Sequence, residues 1–562
     1  MDQKQVVIIG AGISGLVACK YCISKGLNPI VFESQADIGG VWGKTIRTTR
    51  LQTFRGMYQF ADFPWPSTVA HDFPTQHQVL NYLRSYATHF DLFKHIRFGC
   101  HVKGIEYHGP SSWSNWNGIC GTIPLGKWKI TVEDSQPSTK VHEADFVILC
   151  VGRFKDVPNT PEFAPGTGPE VFRGKVIHSM EYAAMDHDKA EQLVKGKRVV
   201  VVGFQKQGLD IAMECSSVNG TEYPCTVVYR NDRWKLPDFS PWGIPLQYLY
   251  LNRFSELMVH KPGEGFLLSL LATILSPLRW GISKLVETHI KTKLPLAKFN
   301  MVPERSFAKD LRSCLLAALP EDFFNRVESG SILPKKSPSF TFYNDGIMID
   351  GENKPVQADI VILATGFRGV KKLKSIFTSK DIGELIAASP DSRVPLYREC
   401  IHPRITQLAI IGFSESFSNL FTSEIRCRWV VELLDGKVKV PSIKEMEKDI
   451  EYWDDYMKRS SGSYHQRSCL TGLDICVQWF LSRNSAAAQD STRVKTRVII
   501  TKGSLESLHS CLTIIEGVGY GDFPFSNQYG QRRKSYMIHL KNIPSTQKHL
   551  PHFFTACLQH HI

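Results

Sequence analysis

Three glycines spaced as Gly10-Ala11-Gly12-Ile13-Ser14-Gly15 follow an apolar run, and glycines at that spacing suit the binding of a phosphate by main chain. Gly10 permits a tight turn, Gly12 removes the side chain that would hold a pyrophosphate away from the backbone, and Gly15 lets the following helix close on the preceding strand. A helix opening at Ile13 turns its unpaired N–H groups toward the phosphate oxygens. Glu33 stands where a carboxylate, about twenty residues past such a loop, accepts the hydroxyls of a ribose diol. A carboxylate there repels a 2′-phosphate, so the first site is expected to hold FAD or NAD rather than NADP.

The elements that must position these residues are legible on either side. Val6-Val7-Ile8-Ile9 reads as a strand buried on both faces, Leu16-Val17-Ala18 as helix, and Pro29-Ile30-Val31-Phe32 as a second strand leading to Glu33. After Ile38, the pair Gly39-Gly40 allows close backbone approach, and Trp42 offers a wall for a flat ring. Met57 to Pro66 is rich in aromatics and prolines and is expected to line a pocket. Gln78 to Phe90 has helical periodicity, with Val79, Leu80, Leu83, Tyr86 and Ala87 on one side. From Ile96 to Val132 the pattern is strand-like, interrupted by a Gly/Ser/Trp-rich loop from Gly109 to Gly126.

A second set of the same parts follows. Lys197 to Val202 is a strand, and Gly203-Phe204-Gln205-Lys206-Gln207-Gly208 turns into a helix, with Gln205 where the first loop has Gly12. The next strand, Cys225 to Tyr229, ends at Arg230, with Arg233 beyond, and guanidinium suits a 2′-phosphate through bidentate hydrogen bonds. NADP is therefore expected at this second site. Ala144-Asp145 leads an apolar strand to Gly152, and Ala358-Asp359 leads another to Gly366-Phe367. Either is an ordinary buried strand, but the repetition points to paired dinucleotide domains.

Composition narrows the class. The 562 residues suffice for two to four domains, and the 43% hydrophobic and 22% charged content is that of a globular protein. The formal charge of +13 suits anionic cofactors or a membrane surface, and no dense basic run with interleaved aromatics points to nucleic acid. The 14 cysteines show no repeating framework, which fits a reducing compartment better than a disulfide scaffold. Cys19 and Cys22 form a CxxC on the helix after the first loop, where packing is the better reading than metal or redox work. Neither a metal site nor a signal peptide ahead of the first strand is expected. The apolar stretch from Phe266 to Leu278 is shorter than the ~20 residues that span a bilayer and is interrupted by Pro277. A buried helix or helical hairpin is expected there in preference to an interfacial membrane contact.

Taken in order, these parts resemble the flavin-containing monooxygenases. That family's identifying stretch appears as Phe172, Gly174, His178 and the aromatic Tyr182, ahead of the second loop. Leu51-Gln52-Thr53, Phe60 to Pro66, His178 to Tyr182 and Ser416 to Glu424 resemble the plant branch that includes a pathogen-response enzyme N-hydroxylating pipecolic acid. The resemblance runs from residue 1 to about residue 474. It implies an α/β fold with two Rossmann-like dinucleotide-binding domains, the NADPH domain inserted in the FAD domain. The boundaries it implies are 1–165 and 351–480 for the two FAD parts, 166–350 for the NADPH part with a helical insertion near 245–325, and 481–562 for an atypical tail.

The implied activity is oxygenation of a soft nitrogen, as N-hydroxylation, or of sulfur, through a flavin hydroperoxide formed from FAD, NADPH and dioxygen. The resemblance implies a small amine or sulfide as substrate, met in the cytoplasm or at the cytosolic face of the endoplasmic reticulum, and leaves peripheral membrane contact open. The cofactor contacts implied are Gly10, Ala11, Gly12, Ile13, Ser14, Gly15, Glu33, Gly40 and Trp42 at the first site, and Gly203, Phe204, Gln205, Lys206, Gln207, Gly208, Arg230 and Gly366 around the second. His178 is expected to link domains, and Asn419 is the one side chain offered as a polar contact to flavin or NADP. A Baeyer–Villiger oxygenase or a non-catalytic FAD-binding remnant shares the loops. Two departures from the plant branch stand out. Gln207-Gly208 replaces Ser-Ala in the second loop, where Gly costs a helix about 1 kcal/mol against Ala, and the chain after Leu473-Asp474 runs through a linker-like Asn484 to Ser491 into a tail, expected to be weakly ordered, that closes on His560-His561-Ile562.

Overall fold

A computed structural model describes residues 4–109, 126–134, 138–250, 252–387, 393–438 and 440–470. The Gly109–Gly126 loop lies almost wholly outside these residues, and so does everything after residue 470, with the linker-like run at 484–491 and the histidines at 560 and 561.

Two five-stranded, all-parallel sheets carry the architecture. The first runs Leu408–Ile410, Phe146–Leu149, Gln5–Ile9, Asn28–Phe32, Ile96–Arg97. The second runs Ile332–Lys336, Cys225–Tyr229, Val199–Val202, Ile360–Leu363, Lys175–His178. Central strands of both are buried on both faces, as their unbroken β-branched runs require: Val6 to Ile8 and Val199 to Val201 are almost fully enclosed. The second sheet takes in Ile360–Leu363, so it draws on chain beyond residue 350.

The repeated acidic residue before a strand does the same work twice. Gln5 N donates to Asp145 Oδ2 at 2.8 Å while Asp145 N donates to Gln5 O at 2.9 Å. Arg198 N donates to Asp359 Oδ2 at 2.8 Å while Asp359 N donates to Arg198 O at 2.8 Å. Each carboxylate thus pins its strand to the start of the strand that leads into a glycine loop.

The expected helix is Gln76–His89, opened by a capping box between Thr75 and Gln78. Its buried side holds Val79, Leu80, Leu83, Tyr86 and Ala87, with Tyr82 among them. Here the structure corrects one expectation. The aromatic segment before the helix is core packing rather than pocket lining: Phe60 stacks on Tyr86 at 3.8 Å and Trp65 on Tyr82 at 4.0 Å. Burial of large rings is worth more inside than along a wall.

Phe266 to Leu278 also departs from expectation. It is neither hairpin nor buried helix but the first half of one helix, Phe266–Lys293, with most of its apolar side chains exposed. Pro277 does not end this helix. Its missing N–H would leave Thr273 O unpaired, and Ser276 Oγ donates to that carbonyl at 2.9 Å. The cysteines bring a further departure, since Cys314 and Cys469 form a disulfide.

Candidate functional site

The first loop is built as its spacing requires. Gly10 has φ +103°, its N–H donates to Phe32 O at 2.8 Å, and a Cβ there would stand 2.5 Å from Cys150 O. A Cβ on Gly15 would stand 1.8 Å from Gly10 O. Gly12 is different. A Cβ there would meet nothing closer than Gly40 Cα at 3.6 Å, an ordinary contact. The fold itself does not demand glycine at Gly12, which leaves close approach by a ligand as its physical reason. The helix Ile13–Ser24 carries no side-chain N-cap and no acidic residue in its first turn, so its terminal N–H groups face outward without a capping side chain.

Glu33 closes over this loop from the end of the neighbouring strand. It is buried, accepting from Ala11 N at 2.7 Å through Oε2 and from Gln35 N at 2.9 Å through Oε1. A carboxylate with two oxygens keeps lone pairs for further donors. Gly39 N donates to Ala11 O at 3.0 Å, and this lays Gly40, at φ +58°, beside Gly12. Trp42 Nε1 donates to Tyr58 Oη at 2.7 Å, which fixes the half-buried indole nearby.

A second helix N-terminus converges on the same place. Ser14 Oγ donates to Ser423 Oγ at 3.1 Å and Cys427 Sγ donates to Ser14 O at 3.6 Å, seating helix Asn419–Leu434 against the first helix. Gly412, at φ +79°, passes so close that a Cβ would stand 2.4 Å from Ser14 Oγ. Gly412 and Ser423 were not singled out in the sequence, although Leu408-Ala409-Ile410-Ile411-Gly412 is a third apolar strand ending in glycine. Asn419 is exposed at the start of this helix, its Oδ1 accepting from Ser416 N at 2.9 Å.

The second loop repeats the first with one substitution of principle. Gly203 has φ +128° and its N–H donates to Val228 O at 2.8 Å, matching Gly10. A Cβ on Gly208 would stand 2.1 Å from Gly203 O, as one on Gly15 would from Gly10 O. Gly208 is therefore a close-packing glycine in this chain, and its helix cost is offset by that approach. The helix Lys206–Asn219 likewise has no side-chain N-cap. Gln205 holds the middle position, where the first loop has no side chain. Phe204 stacks on Tyr229 at 4.6 Å.

Lys206 and Gln207 are already engaged by protein. Lys206 pairs with Asp210, which also accepts from Thr49 Oγ1 at 3.2 Å, and Gln207 Oε1 accepts from Ser179 Oγ at 3.1 Å. Arg230 is exposed with no ion-pair partner among the described residues. Arg233, by contrast, is buried against Asp310 at 3.6 Å and Tyr464 Oη. Lys235 lies under the loop, its Nζ 4.8 Å from the Phe204 ring, and burial pushes its ammonium down to about 7. Gly366, at φ +87°, accepts from Asn159 N at 2.9 Å, beside His178, whose Nδ1 accepts from Met180 N at 3.1 Å and whose ring meets Phe367 at 5.4 Å. His178 is thus a helix cap in the second sheet's layer, packed at the strand that leads back toward the first.

Between the loops, side chains of both lobes meet. Thr49 reaches Asp210, Thr48 N donates to Glu214 Oε1 at 3.2 Å, and Tyr182 Oη donates to Glu214 Oε2 at 3.1 Å. Burial holds both Asp210 and Glu214 above the usual carboxylate range. Phe239 packs against Phe54 at 5.5 Å, Phe73 at 5.1 Å and Phe417 at 6.2 Å, and Thr53 Oγ1 donates to Phe417 O at 3.0 Å. Ala318 N donates to Gln52 Oε1 at 3.4 Å in the same region. An aromatic wall with a few polar groups therefore stands where the lobes join. Cys19 and Cys22 take no part: both are buried in the first lobe's core and unbridged, and burial pushes the Cys19 thiol up to about 12.

Comparison with known proteins agrees with this arrangement. A family model described as flavin-binding monooxygenase-like matches residues 3–472. The chain is 38% identical over 489 residues to a probable flavin-containing monooxygenase 1 of Arabidopsis thaliana, covering 84% of this chain and 90% of that one. It is 27% identical over 463 residues to human flavin-containing monooxygenase 1, covering 80% and 76%. Among solved structures, a cyclohexanone monooxygenase with bound ε-caprolactone superposes with a TM-score of 0.62 at 18% identity, covering 86% of this chain and 97% of that one. A steroid monooxygenase bound to NADP superposes with a TM-score of 0.60 at 18% identity, covering 86% and 97%. At such identities these two likenesses concern the fold.

Proposed function

The chain belongs to the flavin-binding monooxygenase-like family, and from that premise we propose that it uses FAD, NADPH and dioxygen to oxygenate a soft nitrogen or sulfur of a small molecule. The observation that carries this reading is the presence of two uncapped glycine-loop helices in one body, one with Glu33 hydrogen-bonded into its loop and the other with Arg230 directly after the strand that pairs beside its own. A diol-binding carboxylate and a phosphate-binding guanidinium sort two dinucleotides between two seats.

The residues fit FAD at the first seat. The space beside Gly12 admits a pyrophosphate against the backbone, the helix at Ile13 and Ser14 directs N–H groups to it, and Glu33 keeps acceptor capacity for the ribose. Ala11 carries the backbone N–H that orients Glu33, while Gly40 and Trp42 bound the seat from the far side. At the second seat Gly203 and Gly208 shape the turn, Phe204, Gln205, Lys206 and Gln207 line it, and Arg230 takes the 2′-phosphate. Gly366 keeps a side chain out of the passage between the seats.

Bound FAD supplies the two-electron chemistry with dioxygen that no side chain can supply. The protein's share is positioning and dryness. The Phe54, Phe73, Phe239 and Phe417 cluster excludes water where the lobes join, and Thr49 and Asp210 fix the distance between the seats. Asn419 offers Nδ2 as a single polar contact at the start of its helix.

Within this reading the plant-branch resemblance favours N-hydroxylation of a cyclic secondary amine such as pipecolate, in a defence response in the cytoplasm. The test is purified yellow protein mixed with NADPH without air, then opened to air with pipecolate, a tertiary amine, a thioether or a ketone. The flavin absorbance should bleach, then return with one product per NADPH for an amine or the thioether. An ester from the ketone would favour the Baeyer–Villiger reading, and flavin that never bleaches would favour the remnant. Asn419→Ala should lower product per NADPH consumed; unchanged coupling removes Asn419 from the site.

A further inference from the structure

We propose that Tyr464, tethered by the Cys314–Cys469 disulfide, is a positioning residue for NADPH selection, and that a thiol which opens this bridge weakens the seat for the 2′-phosphate. The inference rests on the assignment of that phosphate to Arg230. Arg230 is exposed and begins the short stretch that leaves strand Cys225–Tyr229. The far end of this stretch is fixed. Arg233 is buried, 3.6 Å from Asp310 Oδ1, and donates to Tyr464 Oη, while Trp234 Nε1 donates to Arg305 O at 2.6 Å. Between the ends Lys336 donates to Asp232 Oδ2 at 2.7 Å. Release of Arg233 therefore loosens Arg230 without unfolding the strand behind it.

Tyr464 is clasped by two cations. The guanidinium of Arg233 lies 5.0 Å from its ring centre and that of Arg305 5.3 Å, both within reach of a cation–π attraction. Both arginines also converge on the fully buried carboxylate of Asp310, 3.0 Å from Arg305 Nε. The ring and hydroxyl of Tyr464 thus help one carboxylate hold two like charges together.

This tyrosine belongs to the opposite lobe. Residues 461–470 close helix Ile443–Ser461 and are laced to the first lobe: Arg153 Nη2 donates to Gln466 O at 2.8 Å, Arg467 Nε to Glu415 Oε2 at 3.0 Å and Leu470 N to Glu415 O at 2.8 Å. Toward the second lobe, Ser461 Oγ donates to Arg312 O at 3.0 Å, and the one covalent tie runs from Cys469 to Cys314, just past helix Phe307–Arg312, which carries Asp310. A tether of that length keeps Tyr464 at high effective concentration beside Arg233.

The bridge is approachable from one side, because Cys314 is half-buried and Cys469 is buried. A small thiolate attacks Cys314 Sγ and forms a mixed disulfide as the bond to Cys469 breaks; Cys469 leaves as a thiolate and takes up a proton. A second thiol then displaces Cys314 as its thiol and ends in the small-molecule disulfide, so two electrons pass from the thiols to the protein. Eight other described cysteines are unbridged. Bridging is therefore not how this chain holds its cores, and opening this bridge leaves them packed.

The test is calorimetric titration of the full-length, FAD-loaded protein with NADP+ and with NAD+, before and after incubation with reduced glutathione. Alkylation of the freed thiols, read by mass, reports the state of the bridge. Opening it should raise the Kd for NADP+ about tenfold, as for loss of one charge-assisted contact, and leave that for NAD+ within about twofold. Oxidised glutathione should restore the first value. Cys314→Ser/Cys469→Ser should bind NADP+ as the reduced wild type does, without response to glutathione. Tyr464→Phe, which keeps the ring and loses the hydroxyl, should weaken NADP+ selectively in the bridged protein. Equal NADP+ affinity with the bridge closed and open overturns the proposal and leaves the Arg230 seat standing. Equal weakening of NADP+ and NAD+ also overturns it, by assigning the bridge a purely structural role. A bridge that glutathione leaves closed in the folded protein overturns the control by thiols. NADP+ that binds neither form overturns the seat and the proposal together.

Discussion

The carboxylate of Glu33 accepts the backbone N–H of Ala11 at 2.7 Å, so the residue proposed to hold a ribose is also the residue that shapes the phosphate loop. Substitution at Glu33 therefore tests ligand binding and loop geometry together. Glu33→Gln keeps an oxygen for Ala11 N and loses the charge. Hydrogen bonds to charged groups contribute about 1.5–3 kcal/mol each, so FAD should dissociate at least about tenfold more readily. Flavin fluorescence on dilution measures this, and Glu33→Ala, which strands the Ala11 N–H, should lose flavin more completely still.

Arg230 is exposed with no ion-pair partner among the described residues, and Arg233 is spent on Asp310 and Tyr464. Arg230→Ala should thus lower kcat/KM for NADPH by roughly 10- to 100-fold, as expected for loss of a charge-assisted phosphate contact, and leave NADH almost untouched. The ratio of the two, taken at low salt, is the readout. An equal loss for both cofactors would place the 2′-phosphate elsewhere.

His402 provides a pH test of stability. It is buried, its Nδ1 accepts from Arg404 N at 3.1 Å, and burial holds its pKa down to about 4 from 6.5. Between those values the unfolded chain binds a proton that the folded one refuses. Stability is therefore complete above about pH 6.5 and is lost as pH falls toward 4, by about 3 kcal/mol from this group. His402→Asn keeps an acceptor two residues before Arg404 and does not titrate. Denaturant unfolding of both proteins between pH 7 and pH 4.5 should show a shallower decline for the variant.

The Cys314–Cys469 disulfide closes a sequence separation of 155 residues. A bridge over a long loop contributes typically about 2–4 kcal/mol, chiefly by restricting the unfolded chain. Cys314→Ser/Cys469→Ser, and wild-type protein in strong reductant, should both melt several degrees lower by circular dichroism. Equal melting in and out of reductant would show that the bridge adds nothing.

What was legible in the sequence was what depends on near neighbours. Gly10, Gly15 and Glu33 sit within one strand-turn-helix-strand unit, and the twin Asp145 and Asp359 strands repeat within their own sheets. Contacts set by the return of distant chain were not legible. Gly412 against Ser14 and Thr49 against Asp210 join residues far apart in sequence, and no local pattern reports that pairing. The aromatic run at Phe60 to Trp65 was misassigned for the same reason: composition gives the rings but not the helix face of Tyr82 and Tyr86 that receives them. Gly208 looked costly because helix propensity is a local quantity, while its reason, the carbonyl of Gly203, lies across the turn. At Phe266 to Leu278, hydrophobicity alone could not distinguish burial in protein from exposure at its surface.

The difference between Gly12 and Gln205 has a consequence in time rather than in space. Two otherwise matching seats, one bare and one carrying a side chain at its centre, would let a pyrophosphate approach the main chain to different depths. The deeper seat suits a tenant that stays through the life of the molecule, and the shallower one suits a visitor that arrives with electrons and departs each cycle. Residence, on the proposed assignment, is written into a single position of the loop.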